Sequence, residues 1–221
     1  MVQTGAVTLP EIDVDLDREA VLDAPPFSRW TVSHSGDAVE ACVDRLLDPL
    51  RRQVVLDGLY AIRPAETTAQ TWKAPPEDLL AGTHVGLGVL SLRAAGPTAP
   101  QSKLDPLVWD ALENVALQEA RTTLLDELLD AADREGFNTT RVHAPGTRPD
   151  GWELSARQVV FEALPIDQIG VTVREGVPDP PKTLSFAMGL GPDLEQATVL
   201  LTCADCEKAT YCPYAGGAER R

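Results

Sequence analysis

The chain has 221 residues, of which 43% are hydrophobic and 24% are charged, so it is long enough to bury a core of its own. Its 34 acidic and 19 basic residues give a formal net charge of −15, which argues against nucleic acids and anionic membrane surfaces as partners. The first residues lack the basic and apolar regions of a secretory signal, and no apolar run is long enough to cross a membrane. We therefore expect a cytoplasmic protein without a transmembrane segment.

The N-terminal half is predicted to contain a leader, a helix and two strands. Residues 1–30 carry three prolines and indicate an extended leader with one short edge strand. Apolar residues at helical spacing predict a helix over 38–55, which Pro49 should bend or end early. Branched and aromatic residues predict strands at 54–62 and 83–93, separated by a polar, proline-broken loop.

The C-terminal half is predicted to combine helices with strands. Asp105 as the cap and Pro106 in the first turn predict a long helix that ends before Gly136. Short connections between the last strands favour antiparallel pairing. We therefore expect one domain, 1–221, with an α+β fold and a mixed, largely antiparallel sheet flanked by helices. The further elements are a strand at 139–143, a helix at 152–164 and strands at 169–175, 183–190 and 198–202.

The end of the chain, 203–221, is a cysteine-rich tail. Cys203, Cys206 and Cys212 lie within ten residues, and Cys42 is the only other cysteine. A Cys-x-x-Cys pair on a tight turn directs both sulfurs to one centre, and thiolates select zinc or iron–sulfur clusters over hard cations. A proline follows Cys212, as it follows the last cysteine of ferredoxin runs, which favours an iron–sulfur cluster.

Three cysteines leave one ligand position to be filled. Cys42 is a candidate, but its place on the apolar stripe of a predicted helix favours a simple buried thiol. His34, His84 and His143 are the remaining soft donors, and their spacing gives no metal signal. The alternatives to a metal site are a redox dithiol, which would leave the third cysteine of the tail without a role, and cysteines without a function.

Motifs in the second half of the chain follow a recognisable order. The sequence offers 141–146 (RVHAPG), a predicted helix, 169–171 (IGV) and 180–185 (PPKTLS). This order resembles the Arg-x-x-Pro-Gly-Tyr turn, helix, Ile-Gly-Val strand and Pro-x-Lys-Ser-Val-Ser-like strand of the activation domain of cobalamin-dependent methionine synthase. Some small stand-alone relatives of that domain end in a similar cysteine cluster. Here one additional residue separates the arginine from the proline, and Thr147 stands where the family has tyrosine.

In the family that the chain resembles, the domain binds S-adenosylmethionine and presents it to cobalamin held on a partner. Inactive cob(II)alamin is reduced there and then trapped by methylation. The resemblance therefore implies that Arg141, Pro145 and Gly146 bind S-adenosylmethionine, and that the partner is a corrinoid protein or methyltransferase of methionine biosynthesis. Iron–sulfur clusters span potentials of about −700 to +450 mV, which includes the region required to reduce the cobalt.

The expected function is that of an accessory protein for the reductive activation or handling of a corrinoid methyltransferase, with the tail cysteines as an electron relay. The alternative is a zinc-stabilised interaction module that has lost S-adenosylmethionine chemistry. A free-standing methyltransferase is the last of the three interpretations, because the sequence has no glycine-rich loop between a strand and a helix.

Overall fold

A five-stranded antiparallel sheet organises the computed structural model, which describes residues 5–31, 36–70, 72–97, 100–146 and 152–197. Its strands follow the order β1-β2-β3-β7-β4, and β5 pairs with β6 in a separate two-stranded sheet. Every pairing between the described strands is antiparallel, which confirms the predicted α+β class. The strands are β1 (Val7–Leu9), β2 (Val55–Pro64), β3 (His84–Arg93), β4 (Asn138–Thr139), β5 (Thr172–Arg174), β6 (Val177–Asp179) and β7 (Thr183–Gly191).

Six α-helices accompany these strands in the described part of the chain. The longest of them lies between β3 and β4 in the chain. The helices are α1 (Arg18–Asp23), α2 (Phe27–Trp30), α3 (Gly36–Gln53), α4 (Ala65–Ala69), α5 (Asp105–Arg134) and α6 (Arg157–Glu162). Short 3₁₀ turns are formed by Asp78–Leu80, Leu154–Ala156 and Ile166–Ile169.

The alternation of side chains along β2 and β3 divides the core into two apolar layers. Even-numbered positions such as Leu56 and Leu90 are buried in the layer formed with α3 and α5. Odd-numbered positions such as Leu59 and Leu87 are buried in a second layer with Trp72, Trp152 and α6. The long central strands are therefore apolar on both faces because helices or loops cover both faces.

Glycines in the middle of the sheet allow α5 to pack closely. A Cβ at Gly58 would lie 3.0 Å from Leu124 Cδ1, and a Cβ at Gly86 would lie 3.0 Å from Leu128 Cδ2. Both leucines are fully buried on α5. The close approach of Leu128 explains why β3 has no side chain at Gly86.

The leader is less extended than predicted. β1 confirms the short edge strand, since it pairs with β2, but residues 18–30 include the helices α1 and α2. Asp17 caps α1 by accepting hydrogen bonds from the N–H groups of Glu19 and Ala20. Val21 and Phe27 are buried in the first core layer, so tertiary packing stabilises two helices that are too short to be recognised from periodicity.

In two further segments of the N-terminal half the structure has helix where an early helix end or a loop was expected. Helix α3 continues through Pro49 to Gln53, because Leu46 and Leu50 on either side of the proline are buried against the core. The segment 64–82, predicted as a loop, contains α4 and the 3₁₀ turn Asp78–Leu80. The predicted strands at 54–62 and 83–93 are confirmed as β2 and β3.

The C-terminal half differs from the prediction in detail. The helix predicted at 152–164 is divided into a 3₁₀ turn and the six residues of α6. The strand predicted at 169–175 is shortened to β5, and its partner is β6, which was not predicted. The strand predicted at 198–202 lies outside the described residues. In the part of the chain that the structure describes, no helix has the length and hydropathy needed to cross a membrane.

Candidate functional site

The predicted ligand-binding segment, 141–146, leaves the sheet from its edge strand. Beyond β4 the chain stays paired with β7, since the Thr140 N–H donates to the Gly189 carbonyl at 2.9 Å. His143 then exchanges two backbone hydrogen bonds of 2.8 Å with Ala187. The segment therefore starts from a fixed position at the edge of the main sheet.

Asp78 joins the side chains of Arg141 and His143. Arg141 Nε donates to Asp78 Oδ2 at 3.2 Å, and His143 Nε2 lies 3.1 Å from the same oxygen. The His143 side chain is completely buried, whereas those of Arg141 and Asp78 are 37% and 42% exposed. Gly189 permits this arrangement, because a Cβ there would lie 2.9 Å from the carbonyl oxygens of Asp78 and Leu79. One carboxylate oxygen thus connects a buried imidazole with a guanidinium at the surface.

Pro145 and Gly146 form a turn. Gly146 has a φ of +84°, a conformation that glycine adopts without the steric cost of a side chain. Its N–H donates to the Trp152 carbonyl at 2.9 Å. A Cβ at Gly146 would lie 2.8 Å from Leu154 Cδ1, so the turn packs directly against Leu154. The intervening residues, 147–151, lie outside the described residues.

A pair of buried tryptophans is linked to this turn. Trp72 and Trp152 are only 8% and 2% exposed, and their ring centroids lie 5.3 Å apart at an interplanar angle of 44°. Neither indole N–H has a hydrogen-bond partner among the described residues. Because the Trp152 carbonyl accepts the Gly146 N–H, the aromatic pair is connected directly to the turn.

An open groove of about 460 Å³ shares Leu154 with the packing of the Pro145–Gly146 turn. Arg157 Nη2 donates to the Gly176 carbonyl at 2.6 Å, which ties the start of α6 to the turn between β5 and β6. Leu154 belongs to both the turn contact and the groove, and its side chain is 54% exposed. The groove is lined by Leu154, Ser155, Arg157, Gln158, Glu175 and Gly176.

Cys42, the candidate fourth metal ligand, belongs to a partly buried polar cluster at the start of α5. Its Sγ donates to Asp105 Oδ1 at 3.2 Å, and Arg45 Nη2 donates to the sulfur at 3.2 Å. Ser102 Oγ also donates to Asp105 Oδ1, and the Gln101 N–H donates to Oδ2 at 2.8 Å. These hydrogen bonds, that of Ser102 first, hold the pKa of Asp105 well below its usual range. The thiol therefore has a structural partner inside the core.

The structure describes no metal centre in the ranges that it covers. No group of three or more histidine, cysteine, aspartate or glutamate side chains in those ranges is arranged to hold a metal ion. Cys203, Cys206 and Cys212 lie outside the described residues, as does His34. His84 stacks on Phe137 with ring centroids 4.7 Å apart, so its ring is part of the packing at the start of β3.

Sequence reasoning singled out Arg141, Pro145 and Gly146 as ligand-binding residues, which stays a prediction, but it did not identify the residues that surround them. Asp78 is 63 positions before Arg141 and falls in a segment that was predicted to be an irregular loop. Glu175 and Gly176 form the turn of a hairpin whose second strand was not predicted. A positive φ at both residues identifies this turn in the structure, and only the glycine was visible as a sequence signal.

The comparisons with known proteins are consistent with this architecture. No protein-family model matches the chain, and no curated protein matches it. Among solved structures, the chain is similar to a crystal structure of the MetH reactivation domain bound to AdoHcy (S-adenosylhomocysteine). The two are 15% identical, the likeness covers 91% of this chain and 83% of that chain, and the TM-score is 0.50.

At this level of identity the likeness concerns the fold. The chain has the α+β architecture of the reactivation domain, with its antiparallel sheet and flanking helices. A shared fold does not by itself transfer a ligand or a reaction, so function has to be argued from the site.

Proposed function

We propose that the chain is an accessory protein that supports the reductive activation or handling of a corrinoid methyltransferase. The observation that carries the proposal is the placement of the Arg141–Gly146 segment at the edge of a sheet that has the fold of a methionine synthase reactivation domain. The solved neighbour is bound to AdoHcy, the product that remains when S-adenosylmethionine has given up its methyl group.

The proposed nucleoside ligand binds along the Pro145–Gly146 turn. Gly146 lacks a side chain and presents its backbone at a positive φ, so a ligand can approach the main chain closely. Asp78 binds Nε of Arg141 and orients the guanidinium, which is 37% exposed and suited to a carboxylate or a hydroxyl-bearing ligand. Pro145 fixes the backbone at the entrance of the turn.

The proposal assigns a metal to the C-terminal tail. Cys203, Cys206 and Cys212 have the spacing of thiolate ligands, and an iron–sulfur cluster would provide an electron at the low potential that cobalt(II) requires. The partner is a corrinoid protein or a methyltransferase that carries cobalamin. Docking of that partner beside the Pro145–Gly146 turn would bring its cobalt close to the methyl donor.

Ligand titration tests the nucleoside site. Calorimetry of the full chain with S-adenosylmethionine and AdoHcy should give heat of binding, and Arg141→Ala should abolish it. The matched control is Arg174→Ala, which removes an exposed arginine of β5. No heat at millimolar ligand, or equal binding by Arg141→Ala and the wild type, contradicts the proposal.

A second candidate function is a zinc-stabilised interaction module that has lost S-adenosylmethionine chemistry. The sequence favours it at one point, since Thr147 replaces the tyrosine of the family turn. Iron, zinc and sulfide analysis after anaerobic purification separates the two functions. Iron with sulfide supports the electron relay, whereas zinc alone supports the module.

A further inference from the structure

We propose that the groove between α6 and the β5–β6 turn binds the α-amino-acid group of a small ligand. In this assignment Arg157 receives the ligand's carboxylate and Glu175 receives its ammonium group. The inference deepens the proposed function and rests on it for its nucleoside probe, because S-adenosylmethionine and AdoHcy both carry an α-amino-acid group. The groove residues are separate from the Arg141–Gly146 segment predicted from the sequence.

The groove carries one positive and one negative side chain. Arg157 and Glu175 line the same groove, and these two residues form no ion pair with each other in the described structure. Two opposite charges that face one space without neutralising each other are complementary to a zwitterion. A ligand that carried only a positive or only a negative charge would leave one of the two groups without a counter-charge.

Arg157 is held by a hydrogen bond to the hairpin turn. Its Nη2 donates to the Gly176 carbonyl at 2.6 Å, which fixes the side chain against the hairpin turn. A guanidinium has five N–H donors in a planar arrangement, so donors remain after this bond. A carboxylate accepts two parallel hydrogen bonds from such a group, and a prepositioned arginine forms them with little loss of side-chain freedom.

Glu175 has a positive φ, which is unusual for glutamate. Glu175 and Gly176 have φ values of 52° and 76°, and they form the two-residue turn between Arg174 and Val177. Glycine, asparagine and aspartate are the residues that favour such positions, and a glutamate there is under strain. A strained residue whose side chain lines a groove suggests that its carboxylate has a function at that place.

An apolar side chain flanks the charged pair. Leu154 lines the groove and is 54% exposed, which is unusual for a large hydrophobic side chain among the described residues. It offers contact for an apolar ligand side chain such as the thioether chain of methionine. The groove volume of about 460 Å³ accommodates a ligand of that size. We therefore infer a methionine-type amino acid, either free or linked to a nucleoside, as the ligand class.

The test compares ligands with and without the amino-acid group. Full-length wild-type protein is titrated by calorimetry with AdoHcy, with free methionine and with 5′-methylthioadenosine, which lacks that group. Arg157→Gln and Glu175→Gln should each weaken binding of AdoHcy and methionine about tenfold, the effect of losing one charge-assisted hydrogen bond. If 5′-methylthioadenosine binds, its affinity should be the same in these two variants as in the wild type. The matched controls, Arg174→Gln and Asp179→Asn, change exposed residues of the same hairpin and should bind all probes like the wild type.

Modified amino acids identify the two contacts separately. Methionine methyl ester lacks the carboxylate charge, so Arg157→Gln should bind it no more weakly than the wild type does. N-acetylmethionine lacks the ammonium group, so Glu175→Gln should behave likewise with that ligand. Arg157→Lys keeps a donor for Gly176 but loses the planar fork, and it should bind methionine less tightly than the wild type while retaining the native circular dichroism spectrum.

The outcomes separate this inference from the proposed function. Methionine binding that depends on Arg157 and Glu175, without any effect of Arg141→Ala on AdoHcy, supports the groove and contradicts the nucleoside site. AdoHcy binding that depends on Arg141 but not on Arg157 or Glu175 overturns the groove. Absence of binding by methionine and AdoHcy at millimolar concentration also overturns it.

Discussion

Asp78 Oδ2 accepts a hydrogen bond of 3.2 Å from Arg141 Nε, and this contact joins residues that are 63 positions apart in the chain. The bond connects a 3₁₀ turn in the first half of the chain with the edge of the sheet in the second half. The same carboxylate lies 3.1 Å from the buried ring of His143. Its removal should therefore affect both the stability of this edge and the position of Arg141.

We expect Asp78→Asn to lower the free energy of unfolding by about 0.5–1 kcal/mol, because half-exposed ion pairs contribute in this range. Urea unfolding followed by circular dichroism measures the change. The difference from the wild type should shrink in high salt, which screens exposed charges. Glu77→Gln is the control, since Glu77 is an exposed neighbour that forms no ion pair among the described residues. Equal losses for the two variants would show that the contact with Arg141 has no specific effect.

Asp105 should make stability depend on pH in the acid range. The hydrogen bonds from Ser102, Gln101, Cys42 and Arg45 hold its pKa below the value of about 3.9 expected in the unfolded chain. A carboxyl group with a lowered pKa in the folded state contributes stability above the unfolded pKa, and this contribution is lost as the pH falls towards the folded pKa.

Asp105→Asn should therefore be less stable than the wild type at neutral pH, and the difference should narrow as the pH falls below about 4. Thermal unfolding across a pH series measures it. Asp126→Asn, at an exposed position of the same helix, should follow the wild-type profile. A difference that stays constant with pH would contradict the role of the ionised carboxylate.

Gly88→Ala should destabilise the centre of the sheet. A Cβ at this position would lie 2.2 Å from Cζ of Phe186, a buried ring on the neighbouring strand β7. Because the ring has to move within a packed core, we expect a loss of about 1–3 kcal/mol in the free energy of unfolding. Chemical denaturation measures the loss. Gly5→Ala, where the added atom would meet nothing within 4 Å, should stay within about 0.5 kcal/mol of the wild type.

Metal content should depend on the tail cysteines and not on Cys42. We expect Cys206→Ser to remove most of the bound iron or zinc, because it breaks the Cys-x-x-Cys pair. Cys42→Ser should retain the wild-type metal content, since the Cys42 thiol donates to Asp105 inside the core. Elemental analysis and visible absorption of the two purified variants make the comparison. Loss of metal from Cys42→Ser would identify Cys42 as the missing ligand.

The long regular elements could be predicted because their signals are local. Helix α5 shows apolar periodicity over 30 residues, and Gly136 ends it at a φ of +73°. Strands β2 and β3 are runs of branched and apolar residues long enough to be recognised without a partner. The Pro145–Gly146 turn was also visible, because proline and glycine restrict or extend the backbone by their own chemistry.

The short elements depended on contacts that the sequence does not display. Helices α1 and α2 and strand β6 have three to six residues, too few for a periodic pattern, and packing or pairing stabilises them. Pro49 shows that packing can also override a local signal. The proline alone predicts the end of α3, but burial of Leu46 and Leu50 stabilises the helix beyond it.

The sequence by itself determined the α+β class, the long helix, the central strands and the Pro145–Gly146 turn, because propensity and periodicity act between neighbouring residues. Only the tertiary structure decided that Arg141 donates a hydrogen bond to Asp78 and that the Cys42 thiol donates one to Asp105. It also decided that Arg157 and Glu175 line one groove. These pairs come from segments distant in the chain or involve a hairpin whose second strand was not predicted. Only the pairing of strands and the packing of two core layers bring them together.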